Sequence, residues 1–153
     1  KNSGPASSPV QKGSNKKGST PTTHAEGDTV SIGYMTYVAW QSYWTDRLTD
    51  NDYLHQDPDA SYLVIEVSVR NDSDKERSIT PFKLIDGKGR EYGTSSHAYV
   101  LDDHIATLSD LNPDVQKGGW IVFDCPRGRD YKLEVSGGYW SGDKARIKLK
   151  PQK

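Results

Sequence analysis

The sequence predicts an all-β fold, an antiparallel sandwich, and three observations carry that expectation. After Gly27 the apolar residues recur at period two. No stretch of ten or more residues holds a 3.6-residue period. Turn-forming clusters separate the apolar runs, leaving about seven short strands in about 125 residues, which is the pattern of a sandwich. Strand count alone does not separate a sandwich from a closed barrel.

The elements follow in chain order. Residues 1–25 hold one large aliphatic residue, Val10, and no carboxylate, among Ser, Gly, Pro, Thr, Asn and Lys. Such a segment buries too little apolar surface to offset its ordering entropy, so residues 1–26 are expected to form a disordered tether ahead of a domain over 27–153. Residues 29–32 and 35–41 are expected as two strands joined around Gly33 and Tyr34. The clearest strand is 62–70: Leu63, Ile65, Val67 and Val69 share one face, while Glu66, Ser68 and Arg70 mark the other as wet. Asn71, Asp72, Ser73 and Asp74 end it with turn chemistry. A strand over 79–85 runs into Asp86-Gly87-Lys88-Gly89, a hairpin signal, and returns through 90–92.

In 111–128, Asn112, Pro113 and Asp114 shape a turn, and Gly118 and Gly119 are expected to let the chain enter the sheet. Ile121, Phe123 and Cys125 point inward with Asp124 opposite. Residues 131–135 alternate again until Gly137 and Gly138 break the run. Residues 145–150 form an amphipathic strand that Pro151 closes. Two stretches do not fit as strands, 46–60 and 95–113, and function on a sandwich usually sits in such loops.

Three motifs in this order resemble a known family: the apolar strand ending in Arg70-Asn71, the Phe82-x-Leu84-x-Asp86-x-x-Gly89-x-x-Tyr92 hairpin, and Asn112-Pro113 followed by Val122-Phe123 and Pro126. They resemble a large bacterial family of exported lipoprotein domains of unknown function, grouped with a mycobacterial secreted immunoprotective antigen. The resemblance covers about residues 27–149. It implies an immunoglobulin-like antiparallel β-sandwich, an extracytoplasmic domain either secreted or membrane-anchored at the cell surface, and no known catalytic residues. It also implies a lipid anchor, on a cysteine upstream of Lys1.

Charge and composition exclude several classes. Lys1, Lys12, Lys16 and Lys17 give the front of the chain +4, so the rest, with 16 basic and 21 acidic residues, carries -5. Spread lysines without arginine make a weak nucleic-acid arm, and the acidic body argues against that partner. No run approaches the ~18 apolar residues of a membrane span. The opening Lys1-Asn2-Ser3-Gly4 is not a signal peptide. One cysteine, Cys125, permits no internal disulfide.

The chemistry points to binding rather than catalysis. No nucleophile elbow, phosphate loop, dinucleotide fingerprint or zinc helix is present. Cys125, on the core parity of its strand, is expected to be buried and inert. Ser95-Ser96-His97 has hydrolase residue types without the strained turn a nucleophile needs. His55, Asp57, His97, Asp103 and His104, with Asp59 and Asp102 beside them, are the weak metal candidates, should the two long loops meet. No cofactor is expected.

Thirteen of the fifteen aromatics are Tyr or Trp, which suit half-wet surfaces. Trp40, Tyr43, Trp44 and Tyr53, with Asp50, Asp52 and Asp57 of the acidic loop, are therefore the expected binding surface. The expectation is a non-enzymatic extracytoplasmic module facing an extracellular or envelope protein. The alternatives are a metal-dependent hydrolase using the loop His and Asp residues, or a carbohydrate-binding module.

Overall fold

A computed structural model describes residues 21–106, 109–138 and 141–152. Among these residues eleven strands form three sheets: β1 (Thr22–Ala25), β2 (Val30–Ile32), β3 (Met35–Thr45), β4 (Tyr62–Asn71), β5 (Arg77–Ser78), β6 (Lys83–Asp86), β7 (Glu91–Gly93), β8 (Asp110–Leu111), β9 (Gln116–Asp124), β10 (Tyr131–Ser136) and β11 (Lys144–Lys148). One main sheet has the order β1-β11-β10-β6-β7 and the other β2-β3-β4-β9, with β5 and β8 paired separately. The ladders within the two main sheets are antiparallel except β1 with β11, which run parallel.

The two main sheets share one core, as period-two burial requires. Met35, Tyr37, Ala39, Leu63, Ile65, Val67, Val69, Ile121 and Phe123 face Leu84, Tyr131, Leu133, Val135, Ala145 and Ile147. Tyr131 opens β10 and donates from its hydroxyl to the Pro126 carbonyl at 2.6 Å. That bond spans five residues of the β9–β10 connection and resembles the tyrosine corner of immunoglobulin-like sandwiches. At one end the Gly33 and Gly137 backbones touch: a Cβ on Gly137 would lie 2.7 Å from the Gly33 Cα, and Tyr34 N–H donates to the Gly137 carbonyl at 2.7 Å. Only glycines allow that approach.

The structure differs from the sequence expectation chiefly in five places, besides the short strand β8 inside the stretch 95–113, expected to hold none. β1 lies inside the stretch assigned to the tether, so the sandwich begins by Thr22; Glu26 is tied in as well, its Oε1 accepting from Ser42 Oγ at 2.6 Å. Residues 1–20 of that stretch lie outside the described residues. The strand expected over 79–85 is shorter: β6 starts only at Lys83, and Ser78, which ends β5, lies before the expected start. β3 runs to Thr45 rather than Gln41, because a β-bulge between Ala39 and Gln41 breaks the alternation without ending the strand. Gly118 and Gly119 sit within β9 rather than at its entrance. There a Cβ on Gly119 would collide with the Asp103 carbonyl oxygen.

The fifth difference concerns the second face of β4. Arg70 is exposed there, but Ser68, Tyr62 and Val64 are buried. Tyr62, Val64 and Val122 form a small second core, roofed by Tyr43, Leu48, Ala98, Leu101 and Trp120. Both long loops thus pack onto the outer face of the four-stranded sheet, and the second contains the 3-10 turn Ser96–Val100. His104 pairs with Trp120 along β9, with Ile105 N–H donating to the Trp120 carbonyl at 2.9 Å.

Candidate functional site

The bulge in β3 decides what the outer face of the four-stranded sheet presents. Up to Ala39 the strand alternates normally, with Tyr37 opposite Val69 and Ala39 opposite Val67, all core residues. One additional residue, Trp40, then stands before Gln41 takes up pairing with Glu66. Trp40 and Gln41 consequently both face outward, which is how bulges re-aim a side chain. Trp40 stays 54 % exposed. Its indole Nε1 donates to Ser68 Oγ at 3.2 Å, so the ring lies across β4. Beside it Gln41 Nε2 donates to Glu66 Oε1 at 2.9 Å.

Past the bulge the parity fixes the remaining aromatics. Tyr43 is opposite Val64, on the outer face, and meets Trp120 edge-on with ring centroids 6.0 Å apart. Trp44 is opposite Leu63 and packs from the inner side against the core, 6.0 Å from the Tyr131 ring, with the Arg127 guanidinium over its own ring. The expected aromatic patch is therefore split by the sheet. Trp40 and Tyr43 share a face, and Trp44 lies behind it. Trp120, which the sequence reading did not include, takes its place; its register opposite Glu66 was the missing signal.

The acidic loop borders this face through Leu48, which packs beside Tyr43 in the second core. Arg47 pairs with the Asp52 carboxylate and donates to the Asp50 main-chain carbonyl at 3.3 Å, so of these two aspartates Asp52 is the one partly neutralised. Tyr53 is 99 % exposed and makes no side-chain contact that fixes it to the patch. Asp57 pairs with His55 Nε2 at 2.7 Å. Asp124 holds the loop's end, accepting from the Asp59 and Ala60 N–H groups at 2.7 and 2.9 Å.

The histidines are engaged separately. The Tyr62 hydroxyl donates to the Gln56 carbonyl at 2.7 Å, so it can only accept from His97 Nδ1–H at 2.6 Å. Burial foremost, then Asp124, Asp57 and Asp59, pushes the Tyr62 phenol up and keeps it protonated. His104 Nδ1 lies 3.0 Å from the Leu101 carbonyl. Among the described residues no three His, Cys, Asp or Glu side chains converge as metal ligands, so apart from the His55–Asp57 pair the structure does not gather His55, Asp57, His97, Asp103 and His104 into one site.

The concavities of the described residues include two near these loops and turns. A cleft of about 250 Å³ under the 3-10 turn is lined by Ser95, Ser96, Tyr99 and His104. Ser95 Oγ there caps the turn by accepting from His97 N–H at 3.1 Å, a structural use of its oxygen. The other, about 340 Å³, lies at the β6–β7 hairpin beside Lys88, Arg90 and Arg129. Cys125 is buried, and burial pushes its thiol up to about 11, as expected for an inert core cysteine.

Comparison with known proteins agrees with this architecture. A family model described as a domain of unknown function (DUF4352) matches residues 24–146. No curated protein matches the sequence. Among solved structures, a putative lipoprotein of Bacillus subtilis (ycdA) superposes with a TM-score of 0.62 at 17 % identity, over 82 % of this chain and 39 % of that one. An uncharacterized β-sandwich protein of Clostridium difficile gives 0.56 at 15 % identity, over 90 % and 100 %. The secreted Mycobacterium tuberculosis protein MPT63 gives 0.55 at 13 % identity, over 86 % and 98 %. At these identities the likeness is one of fold: this chain is an immunoglobulin-like β-sandwich.

Proposed function

The chain belongs to the DUF4352 family, a domain of unknown function, and from that premise we propose that it is a non-catalytic binding module acting outside the cytoplasmic membrane. Its ligand is a protein, received on the outer face of the four-stranded sheet. The observation that carries this reading is Trp40. A strand that gains one residue and turns a tryptophan to solvent leaves a large apolar ring half exposed. Water disfavours that exposure, and a partner removes it.

The surroundings suit recognition. Trp40 is held by its bond to Ser68, so little rotamer freedom remains to be lost on binding. Tyr43 and Trp120 supply rigid aromatic area, and Gln41 with Glu66 supplies polar atoms at its margin. Aromatic anchors of this kind dominate many protein interfaces. The fold shared with a putative lipoprotein and a secreted protein supports the extracytoplasmic setting. Anchoring by an upstream lipid belongs to the same proposal.

The test is capture of envelope proteins on the immobilised chain. Trp40→Ala is expected to lower recovery of the bound protein at least about 30-fold, the scale of a hot-spot anchor. Val115→Ala, which truncates another exposed apolar residue, should leave recovery unchanged. Equal recovery with Trp40→Ala and the parent chain overturns the assignment of this face. Retention of glycans in place of any protein overturns the choice of ligand class.

A further inference from the structure

The opposite face of the sandwich has a different character. In the five-stranded sheet, the alternation that buries Leu84, Leu133, Val135, Ala145 and Ile147 turns Lys83, Lys132, Lys144, Arg146 and Lys148 outward. Two carboxylates share that face, and both are engaged. Glu91 is 3.2 Å from Lys83 Nζ, and Glu134 is 3.1 Å from Arg146 Nε. The face therefore carries +3 in a body of net -5. Lys132, Lys144 and Lys148 make no ion pair among the described residues.

The compensating negative charge sits elsewhere. Residues 46–61 hold five aspartates and one arginine, next to the outer face of the other sheet. Packed sheets lie about 10 Å apart, so side chains on the two outer faces are separated by well over the ~8 Å Debye length of physiological salt. A surface touching the basic face is thus screened from the acidic loop. The edge strand of this same sheet is β1, the first strand of the described residues, and the sequence of residues 1–20 holds four lysines and no carboxylate.

We propose that the basic face of the five-stranded sheet docks the domain on an anionic phospholipid surface, which turns the Trp40 face away from the membrane. The cations alternate along neighbouring strands of one sheet face rather than converging on a pocket, so they match a planar array of phosphates better than a single anion. Each lysine or arginine near such a surface strengthens partitioning about fivefold. The three unpaired lysines together contribute on the order of 100-fold.

Flotation of the full chain with vesicles tests this, comparing pure phosphatidylcholine with vesicles holding about one-third phosphatidylglycerol. Binding is expected to the anionic vesicles alone and to vanish near 1 M salt, where the Debye length is about 3 Å. Lys132→Glu/Lys148→Glu should weaken it at least about 25-fold, while Lys75→Glu/Lys117→Glu, the same charge change away from this face, should alter it less than about threefold. Trp40→Ala should bind vesicles as the parent does. Replacing Lys1, Lys12, Lys16 and Lys17 by Ser should leave the difference between the two double variants intact. The proposal is overturned if the parent fails to bind anionic vesicles, if both double variants lose binding equally, or if that difference disappears without the four upstream lysines.

Discussion

Asp86 shows how one side chain sets a turn. Its Oδ1 accepts from the Lys88 and Arg90 N–H groups at 2.9 and 3.0 Å, and its Oδ2 from Arg90 Nε at 2.7 Å and the Tyr92 hydroxyl at 3.1 Å. Burial pushes the carboxyl up, but these four donors outweigh it and hold it well below the usual carboxylate range. A carboxyl depressed in the folded state contributes stability that is complete above its unfolded pKa of about 3.9 and lost as pH falls toward the folded value. The parent's thermal midpoint should therefore drop below about pH 4. Asp86→Asn should be less stable than the parent at pH 7 and should lose less of its midpoint on acidification; parallel profiles for the two proteins would show that Asp86 does not carry the acid sensitivity. Asn71 plays a comparable part at the end of β4. It is fully buried, with Nδ2 donating to the Lys75 and Leu111 carbonyls at 2.7 and 2.8 Å and Oδ1 accepting from Ser73 N–H at 2.9 Å and Ser73 Oγ at 2.8 Å. A side chain that joins two connections in this way is a turn residue in sequence and a core residue in space.

Among the elements, β9 governs whether the second long loop stays in place. Its Trp120 N–H donates to the Asp103 carbonyl at 2.8 Å, and that carbonyl lies where a Gly119 side chain would project. Gly119→Ala must therefore displace residues 103–105 or bend β9, at a cost of about 1–3 kcal/mol. Hydrogen exchange should speed up at the Trp120 and Ile105 amides, which pair the loop with the strand, while the Leu63 and Ile65 amides of β4 keep their protection. Unchanged exchange at Trp120 and Ile105 would mean that the loop does not depend on the glycine. The bulge in β3 is the second element with a consequence, because it alone separates Trp40 from the alternation that buries its neighbours.

For the whole molecule, the edge strand β1 sets where the domain starts. Four residue pairs join it to β11, and Glu26 Oε1 accepts from Ser42 Oγ and from Lys150 N–H at 3.3 Å. Limited proteolysis should yield a stable core whose first residue lies at or before Thr22, read by mass spectrometry. A chain begun at Gly27 loses those contacts and should have a midpoint lower by about 5 °C or more. A core that begins after Glu26 with its midpoint unchanged would return β1 to the upstream segment.

The sequence by itself determined the fold class, the inward faces of β4, β9, β10 and β11, the β6–β7 hairpin and the buried thiol. Each is a local property: period-two alternation assigns a face, and turn residues end a run, whatever the rest of the chain does. Tertiary structure decided what depends on residues far apart. β1 has no core-facing apolar pattern and exists because β11 offers it an edge. The bulge looked like the end of a strand because one added residue flips every later side chain to the other face. Trp40 and Tyr43 therefore stand with Trp120 while Trp44 lies behind the sheet, and the basic face emerges only once β6, β10 and β11 lie side by side. No local pattern encodes which strands become neighbours, since that is settled by burying two faces against each other at once.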